Sequence, residues 1–193
     1  MGKIIAFTNI TLDGVIQAPA SPDEDTRDGF TRGGWAAPYA AMQDAGDVLG
    51  NVGAALFGRW TYESFYAAWA NRTDNPFSAF FDNIQKYVVS TTLAEPLIWQ
   101  NSTLIKEDIA QAVGRLKQAQ ERDIVVFGSG ALLQSLMRDG LVDRFVLLIH
   151  PLVLGSGRRL FADDGTSAGL QLASSKTTST GVIIATYQPA DPS

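Results

Sequence analysis

The sequence contains no cysteine, which excludes both disulfide staples and thiolate chemistry. It has a single histidine, His150, so a metal site built from several imidazoles is ruled out and no metal is expected. Basic residues are in deficit: 15 Lys and Arg stand against 20 Asp and Glu, a net charge of −5, with a pI of about 4.8. Nucleic acid and anionic membranes both call for a positive face, so neither is an expected partner. No apolar run approaches the roughly 20 residues that span a bilayer. The opening Met1-Gly2-Lys3-Ile4-Ile5-Ala6-Phe7 lacks the layout of a signal peptide, and a soluble cytoplasmic protein is expected. Internal repeats, low-complexity tracts and an interdomain boundary are likewise missing. What is present is 193 residues, 46% hydrophobic and 18% charged, which suits a single domain over residues 1–193 with a sizeable core.

The most informative stretch is Ile124-Val125-Val126-Phe127-Gly128-Ser129-Gly130. Four apolar residues read as a buried strand, and Gly-Ser-Gly breaks it. Leu132, Leu133, Leu136 and Met137 then fall on one face of a helix that Asp139-Gly140 ends, Gly140 offering a left-handed cap. A strand, a glycine turn and a helix aim backbone N–H groups and the positive end of the helix dipole at one point, where an anion can sit. The third glycine of the dinucleotide fingerprint is absent, since Leu133 stands there, and an ordinary strand-to-helix turn is the plain alternative.

Elsewhere, Lys3 to Ile10 reads as a central strand and Thr11-Leu12-Asp13-Gly14 as a turn. Gln17 to Gly34 is a long polar loop, of the kind that forms lids and binding loops. Trp35, Tyr39 and Met42 are spaced for a helix over 35–45. Ala54 to Phe57 is a buried strand ending in Gly58-Arg59, after which Thr61 is placed to cap a helix carrying Tyr62, Phe65, Tyr66 and Trp69. Asn71 to Asn75 reads as loop, and Pro76 opens a further helix. Lys86 to Ser90 and Ser102 to Ile105 are strands. Glu107 and Asp108 begin a helix whose core face is Ile109, Ala112, Val113 and Leu116. From Arg144 to His150, and again over 170–178 and 182–188, strands follow strands. The fold class is therefore α/β, three-layered, with a mostly parallel central sheet and antiparallel C-terminal strands.

Four turns stand at the C-terminal ends of strands: Leu12-Asp13-Gly14, Gly58-Arg59-Trp60-Thr61, Ser90-Thr91 and Gly128-Ser129-Gly130. Ligands bind along that edge of an open α/β sheet, and glycines, hydroxyls and an arginine are donors suited to phosphate. Their order resembles the dihydrofolate reductase fold family, and more closely the branch typified by the reductase domain of bacterial riboflavin biosynthesis, the C-terminal domain of the deaminase-reductase. The segments that carry the resemblance are Asn9 to Ile16, Leu56 to Glu63, Val88 to Thr91, Phe127 to Gly130 and Leu152 to Phe161, together spanning nearly the whole chain.

The resemblance implies NADPH as cofactor. It would put the pyrophosphate near Gly58, Thr61, Gly128, Ser129 and Gly130, the 2′-phosphate near Arg59, Ser90, Thr91 and Lys106, and the nicotinamide by Asn9 and Ile16, mostly through backbone. It also implies a cis peptide between Gly128 and Ser129, and a homodimer through the C-terminal strands. Asp13 and Tyr39 are the catalytic candidates, with a turn former and a core aromatic as their plainer readings. Trp35, Arg158 and Arg159 are the candidates for substrate. Dihydrofolate reductases hold the pterin with a carboxylate on the first helix, whereas Trp35 to Gln43 has none. Asp23, Glu24, Asp25 and Asp28 lie in the preceding loop, where a rigid buried pairing is not expected. A poor dihydrofolate reductase is therefore expected, and an NADPH-dependent reductase of a small heterocyclic or carbonyl substrate, of the pyrimidine or riboflavin-precursor kind, is favoured. The alternatives are a non-catalytic nucleotide-binding or dimerisation module and, further off, a dihydrofolate reductase.

Overall fold

The computed structural model describes residues 1–70, 72, 76–106, 108–161, 163–164 and 167–190, and for 47–49 and 76 the backbone alone. In chain order the elements are β1 (Ile4–Thr11), β2 (Val52–Gly58), α1 (Arg59–Trp69), α2 (Pro76–Asn83), β3 (Gln85–Val89), β4 (Ser102–Ile105), α3 (Ile109–Ala119), β5 (Asp123–Phe127), α4 (Gly130–Arg138), β6 (Arg144–His150), β7 (Leu170–Thr177) and β8 (Ile183–Pro189). The strands form an eight-stranded sheet in the order β4-β3-β2-β5-β1-β6-β8-β7. The pairs β1–β6, β2–β3, β2–β5 and β3–β4 are parallel, while β6–β8 and β7–β8 are antiparallel. This is the α/β class expected from strands that alternate with helices up to residue 142 and follow one another afterwards. By their packing the residues group into two compact units, Met1–Ile4 with Asn51–Leu141, and Ile5–Gly50 with Val142–Ser193.

In the first unit, β2 and β5 are apolar runs buried along almost their whole length. Aromatic rings fill the space above them. Phe57 packs on Phe65 and Phe127 at centroid distances of 5.2 and 5.9 Å, and Phe81 meets Phe65 and Phe127 at 5.3 and 5.2 Å. Burying such a ring contributes about 1.5–3 kcal/mol. Helix α4 buries Leu132, Leu133 and Leu136, the face its spacing gives, and Gly140 ends it with φ +64°. Asp108 caps α3 by accepting from the Gln111 N–H at 3.1 Å. Glu107, and residues 71 and 73–75 of the loop expected there, lie outside the described residues. Lys86 is fully buried. Its Nζ donates to the carbonyls of Phe81 and Ile84, at the end of α2, and lies 4.7 Å from the Trp99 ring centroid.

In the second unit, β1 runs in register with β6 from Ile5 beside Arg144 to Thr11 beside His150. The polar segment 17–34 is pinned rather than loose. Ala18 and Phe30 join Val15, Trp35 and Leu154 in a buried apolar cluster. Gln17 is buried as well: its amide donates to the carbonyls of Asp25 and Arg27 and accepts from the Arg158 N–H. Gly157 closes against the same cluster at φ +120°, where an added Cβ would stand 2.7 Å from Val15 and 2.8 Å from Phe30. The helix expected over 35–45 is instead two 3-10 segments, Ala37–Tyr39 and Ala41–Leu49, parted by Ala40 at φ +49°. Pro38 has no N–H to bond four residues back, so the bonds that form there are short ones, Ala37 to Gly34 and Tyr39 to Ala36. β7 is exposed over all but its first residue.

Candidate functional site

In the first unit, the turns after β2 and β5 interlock. The Gly58 N–H donates to Ser129 Oγ at 2.8 Å, and the Ser129 N–H donates to Thr61 Oγ1 at 3.2 Å. Gly58, Thr61, Gly128, Ser129 and Gly130 are thereby brought together. Two expectations are corrected. Helix α1 begins at Arg59 with Gly58 at its cap, so Thr61 lies inside the first turn and does not cap it; its hydroxyl instead accepts from the neighbouring turn. The Gly128–Ser129 peptide is trans, the cis bond among the described residues being Glu95–Pro96. The chain turns there by putting Gly128 and Ser129 both in the left-handed region, at φ +53° and +55°. Ser129 spends its hydroxyl on Gly58, so no side chain caps the N-terminus of α4. Uncapped N–H groups and the helix dipole favour an anion at that point.

Beside this lies a second polar group. Arg59 donates through Nε to Glu63 at 3.0 Å and through its terminal nitrogen to Thr92 Oγ1 at 2.8 Å. Ser90 Oγ accepts from the N–H groups of Thr92 and Leu93, both at 3.1 Å. The hydroxyl that meets Arg59 belongs to Thr92, next to the exposed Thr91, the residue expected at the 2′-phosphate. The Ser90-Thr91-Thr92 run held that signal: a serine that turns the chain on itself presents the residue two positions on. Lys106 follows Ile105, whose carbonyl accepts from the Ser90 N–H at 3.0 Å, and is exposed. The Arg59–Glu63 pair is exposed on both sides and is weak enough to be exchanged for an anion.

In the second unit, Asp13 acts on the chain itself. Its carboxylate accepts from Thr11 Oγ1 at 2.6 Å, the Leu154 N–H at 3.2 Å and the Gly155 N–H at 2.8 Å. The Thr11 hydroxyl, with smaller help from the Gly155 and Leu154 N–H groups and against the opposing effect of burial, lowers its pKa to about 2. Asp13 is thus a carboxylate at neutral pH and holds the 152–155 segment against the turn after β1. Ile16 donates its N–H to the Arg158 carbonyl at 2.9 Å.

Trp35, Tyr39, Asn9 and His150 converge. The Trp35 and Tyr39 rings meet the His150 ring edge to face at centroid distances of 5.2 and 5.0 Å. His150 Nε2 lies 2.9 Å from Asn9 Oδ1. Trp35 Nε1 donates to the Gln17 carbonyl, which fixes the indole. Burial lowers the His150 pKa to about 4. Nothing in the local sequence around His150 signals its association with Asn9, Trp35 and Tyr39.

Arg158 is engaged: its guanidinium donates to Asp28 Oδ2 at 2.8 and 3.2 Å. Arg159 is exposed and forms an antiparallel bridge with Val15. Gln17, Arg27, Asp28, Phe30, Ser156 and Arg158 line a cavity of about 250 Å³. The loop acids also depart from expectation. Asp25 is buried and paired with Arg27. Burial alone would raise its pKa, but the Arg27 guanidinium and N–H outweigh this and keep it below the usual carboxylate range. The rigid buried pairing thus exists, with the chain's own arginine as partner.

Among the described residues there is no cluster of His, Asp and Glu fit for a metal ion, and no helix long and apolar enough to cross a membrane.

This mostly parallel sheet, with its helices and antiparallel C-terminal strands, is a dihydrofolate reductase-like fold. The chain belongs to the family of the RibD C-terminal domain, whose model matches residues 2–184. It is 28% identical over 194 residues to the uncharacterized protein YyaP of Bacillus subtilis, covering 96% of this chain and 94% of that one. A provisionally named riboflavin biosynthesis protein of Shewanella sp. PV-4 superposes with a TM-score of 0.70 at 18% identity, over 97% of this chain and 99% of that one. A dihydrofolate reductase of Enterococcus faecalis, solved in complex with NADP(H), superposes with a TM-score of 0.62 at 14% identity, over 98% of each chain.

Proposed function

We propose that the protein is an NADPH-dependent reductase of a small heterocyclic or carbonyl substrate, of the pyrimidine or riboflavin-precursor kind. The observation that carries this is the interlocked pair of turns, Gly58 and Thr61 with Gly128 to Gly130, with Arg59, Ser90 and Thr92 beside them. Membership of the RibD C-terminal domain family supports it, as does the Shewanella relative's name.

The donors suit such a cofactor: glycine backbone for close approach, an uncapped helix N-terminus, and an arginine fork with hydroxyls around it. When bound, the reduced nicotinamide supplies a hydride. In this reading Gly58, Thr61, Gly128, Ser129 and Gly130 hold the pyrophosphate. Arg59, Ser90, Thr91 and Lys106 hold the 2′-phosphate, with Thr92 beside Arg59, and Arg59 exchanges Glu63 for it. Ile16 and Asn9 orient the nicotinamide, and Trp35 and Tyr39 wall the substrate. Neither Asp13, ionised at neutral pH, nor His150, neutral there, is poised to deliver a proton, and in this reading water supplies it. Positioning is then the main contribution of the chain. Arg158 and Arg159 receive an anionic group of the substrate once Asp28 gives way. The protein acts in the cytoplasm as a homodimer through its C-terminal strands, for which the exposed strand β7 provides the surface.

That neither Asp13 nor His150 titrates near neutrality favours, as second reading, a nucleotide-binding module without catalysis. Titration of tryptophan fluorescence with NADPH, followed by NADPH oxidation against a panel of pyrimidine ribityl compounds, carbonyls and dihydrofolate, separates the readings. Binding with turnover of a panel member other than dihydrofolate is expected. Binding without any turnover supports the module, and no binding overturns both. Light scattering that finds only monomer at micromolar concentration removes the dimer.

A further inference from the structure

His150 is fully buried at the end of β6, with the Trp35 and Tyr39 rings packed edge to face against it. Its Nε2 meets Asn9 Oδ1 at 2.9 Å, and its Nδ1 is buried with no hydrogen-bond partner among the described residues. Two arrangements satisfy the Nε2 contact. In one, Nε2 carries the hydrogen and donates to Asn9 Oδ1, leaving Nδ1 as an unused lone pair. In the other, Nδ1 carries a buried hydrogen that donates to nothing, and the Asn9 amide is turned over to donate to Nε2. An orphaned buried N–H is rarer in folded proteins than an under-used acceptor, so the first arrangement is the favoured one. Burial keeps the ring neutral, with its pKa lowered to about 4.

The first arrangement has a consequence for Asn9. With Oδ1 held by His150, the amide NH₂ is the free end of the side chain. Asn9 is partly exposed, and its Nδ2 has no protein acceptor among the described residues. The result is a neutral two-hydrogen donor of fixed orientation. Trp35 and Tyr39, on the same imidazole, provide flat apolar walls nearby. A lone neutral donor among aromatic rings suits the carbonyl oxygen of a planar, weakly polar ring system rather than a phosphate, which calls for several donors or a cation.

We propose that His150 is a positioning residue that locks the Asn9 amide as an outward donor, and that this donor binds the carboxamide oxygen of the cofactor's nicotinamide. This rests on the reductase reading and adds to it a side-chain contact, fixed by a second residue, where the family resemblance implied backbone contacts alone.

Two measurements on the full chain test it. The chain has one histidine, so a sample labelled with ¹⁵N-histidine gives the signals of one ring. The expected spectrum is that of the neutral Nε2–H tautomer; an Nδ1–H tautomer overturns the proposal. The second measurement compares NADPH with 2′-phospho-ADP-ribose, the same molecule without the nicotinamide. Asn9→Leu is expected to weaken NADPH about tenfold, the effect of one neutral hydrogen bond, and to leave 2′-phospho-ADP-ribose unchanged. His150→Phe keeps a ring against Trp35 and Tyr39, removes the donor, and is expected to shift NADPH alone by a smaller factor. The double variant removes both polar partners and leaves no buried orphan, so it stands in if Asn9→Leu does not fold, with the same selective loss expected. Equal loss for both probes, or no loss for either, overturns the proposal. A wild-type protein that binds neither probe overturns the reductase reading itself, and with it the ligand half of the proposal.

Discussion

The two units use polar groups in opposite ways. In the first, hydroxyls and glycine N–H groups of neighbouring turns bond to one another near the surface: Ser129 serves Gly58, Thr61 serves Ser129 and Thr92 serves Arg59. In the second, the polar groups are sunk among rings. Buried His150 holds the partly exposed Asn9 beside Trp35 and Tyr39, and buried Gln17 ties two loops from within. A surface network of this kind is exchangeable, because water or an anion can replace each partner at small cost. A buried one is not, because a broken partner leaves an unpaired polar group without water. The first arrangement suits a ligand rich in oxygens, and the second suits fixing a side chain in one orientation.

The largest effect is expected from Gly128→Val, in the exchangeable network of the first unit. At φ +53° a β-branched side chain is strongly disfavoured, so the interlocked turns must open. NADPH affinity is expected to fall at least about a hundredfold, the helix dipole and several donors being lost together. Circular dichroism is expected to show a folded protein. Wild-type affinity in this variant would sink the assignment of the turns to the cofactor.

Next in size is Arg59→Ala. Losing one charge-assisted pair costs about 1.5–3 kcal/mol, and the loss is expected for NADPH and not for NADH in parallel fluorescence titrations. Equal weakening of the two cofactors would remove Arg59 from the 2′-phosphate.

The pH dependence of stability compares the buried bases of the two units. Burial lowers Lys86 from 10.5 to about 8, against the pull of Asp82, and lowers His150 from 6.5 to about 4. In each window the unfolded chain holds more protons than the folded one, so stability rises with pH. The rise is expected between about pH 4 and 6.5 for His150 and between about pH 8 and 10.5 for Lys86, at about 1–3 kcal/mol each. Urea titrations across pH measure it; His150→Phe is expected to flatten the lower rise and Lys86→Met the upper. Asp13 acts lower still: its stabilisation is complete above 3.8 and is lost as pH falls toward about 2. A flat profile in the wild type would contradict the burial of both bases.

The smallest effect is expected from Arg158→Ala. The Arg158–Asp28 pair is exposed, and such pairs are worth about 0–1 kcal/mol. The melting temperature is therefore expected to stay nearly unchanged, while the apparent KM of any anionic substrate rises. A large loss of stability would mean that the pair holds the 17–34 segment in place.

Much was legible from the chain alone, and for local reasons. The run Ile124 to Phe127 and the Leu132, Leu133, Leu136 spacing specify a strand and a helix by periodicity, and Gly140 the stop. Strands alternating with helices, then following one another, determined the α/β class with antiparallel C-terminal strands. Glycines and hydroxyls after successive strands marked the turns, because a turn's chemistry is written in adjacent residues. The tertiary structure alone decided which hydroxyl serves which turn. Thr92 rather than Thr91 meets Arg59 because Ser90 folds the chain back on itself. Thr61 serves Ser129, 68 residues away, rather than its own helix. Pro38 and the left-handed Ala40 broke a helix that spacing alone supported. The pairing of Asn9 with His150, 141 positions apart, has no local signal at all. It exists because β1 and β6 lie side by side in the sheet, and a contact between strands that distant in sequence is fixed by register and burial, which no single stretch of the chain contains.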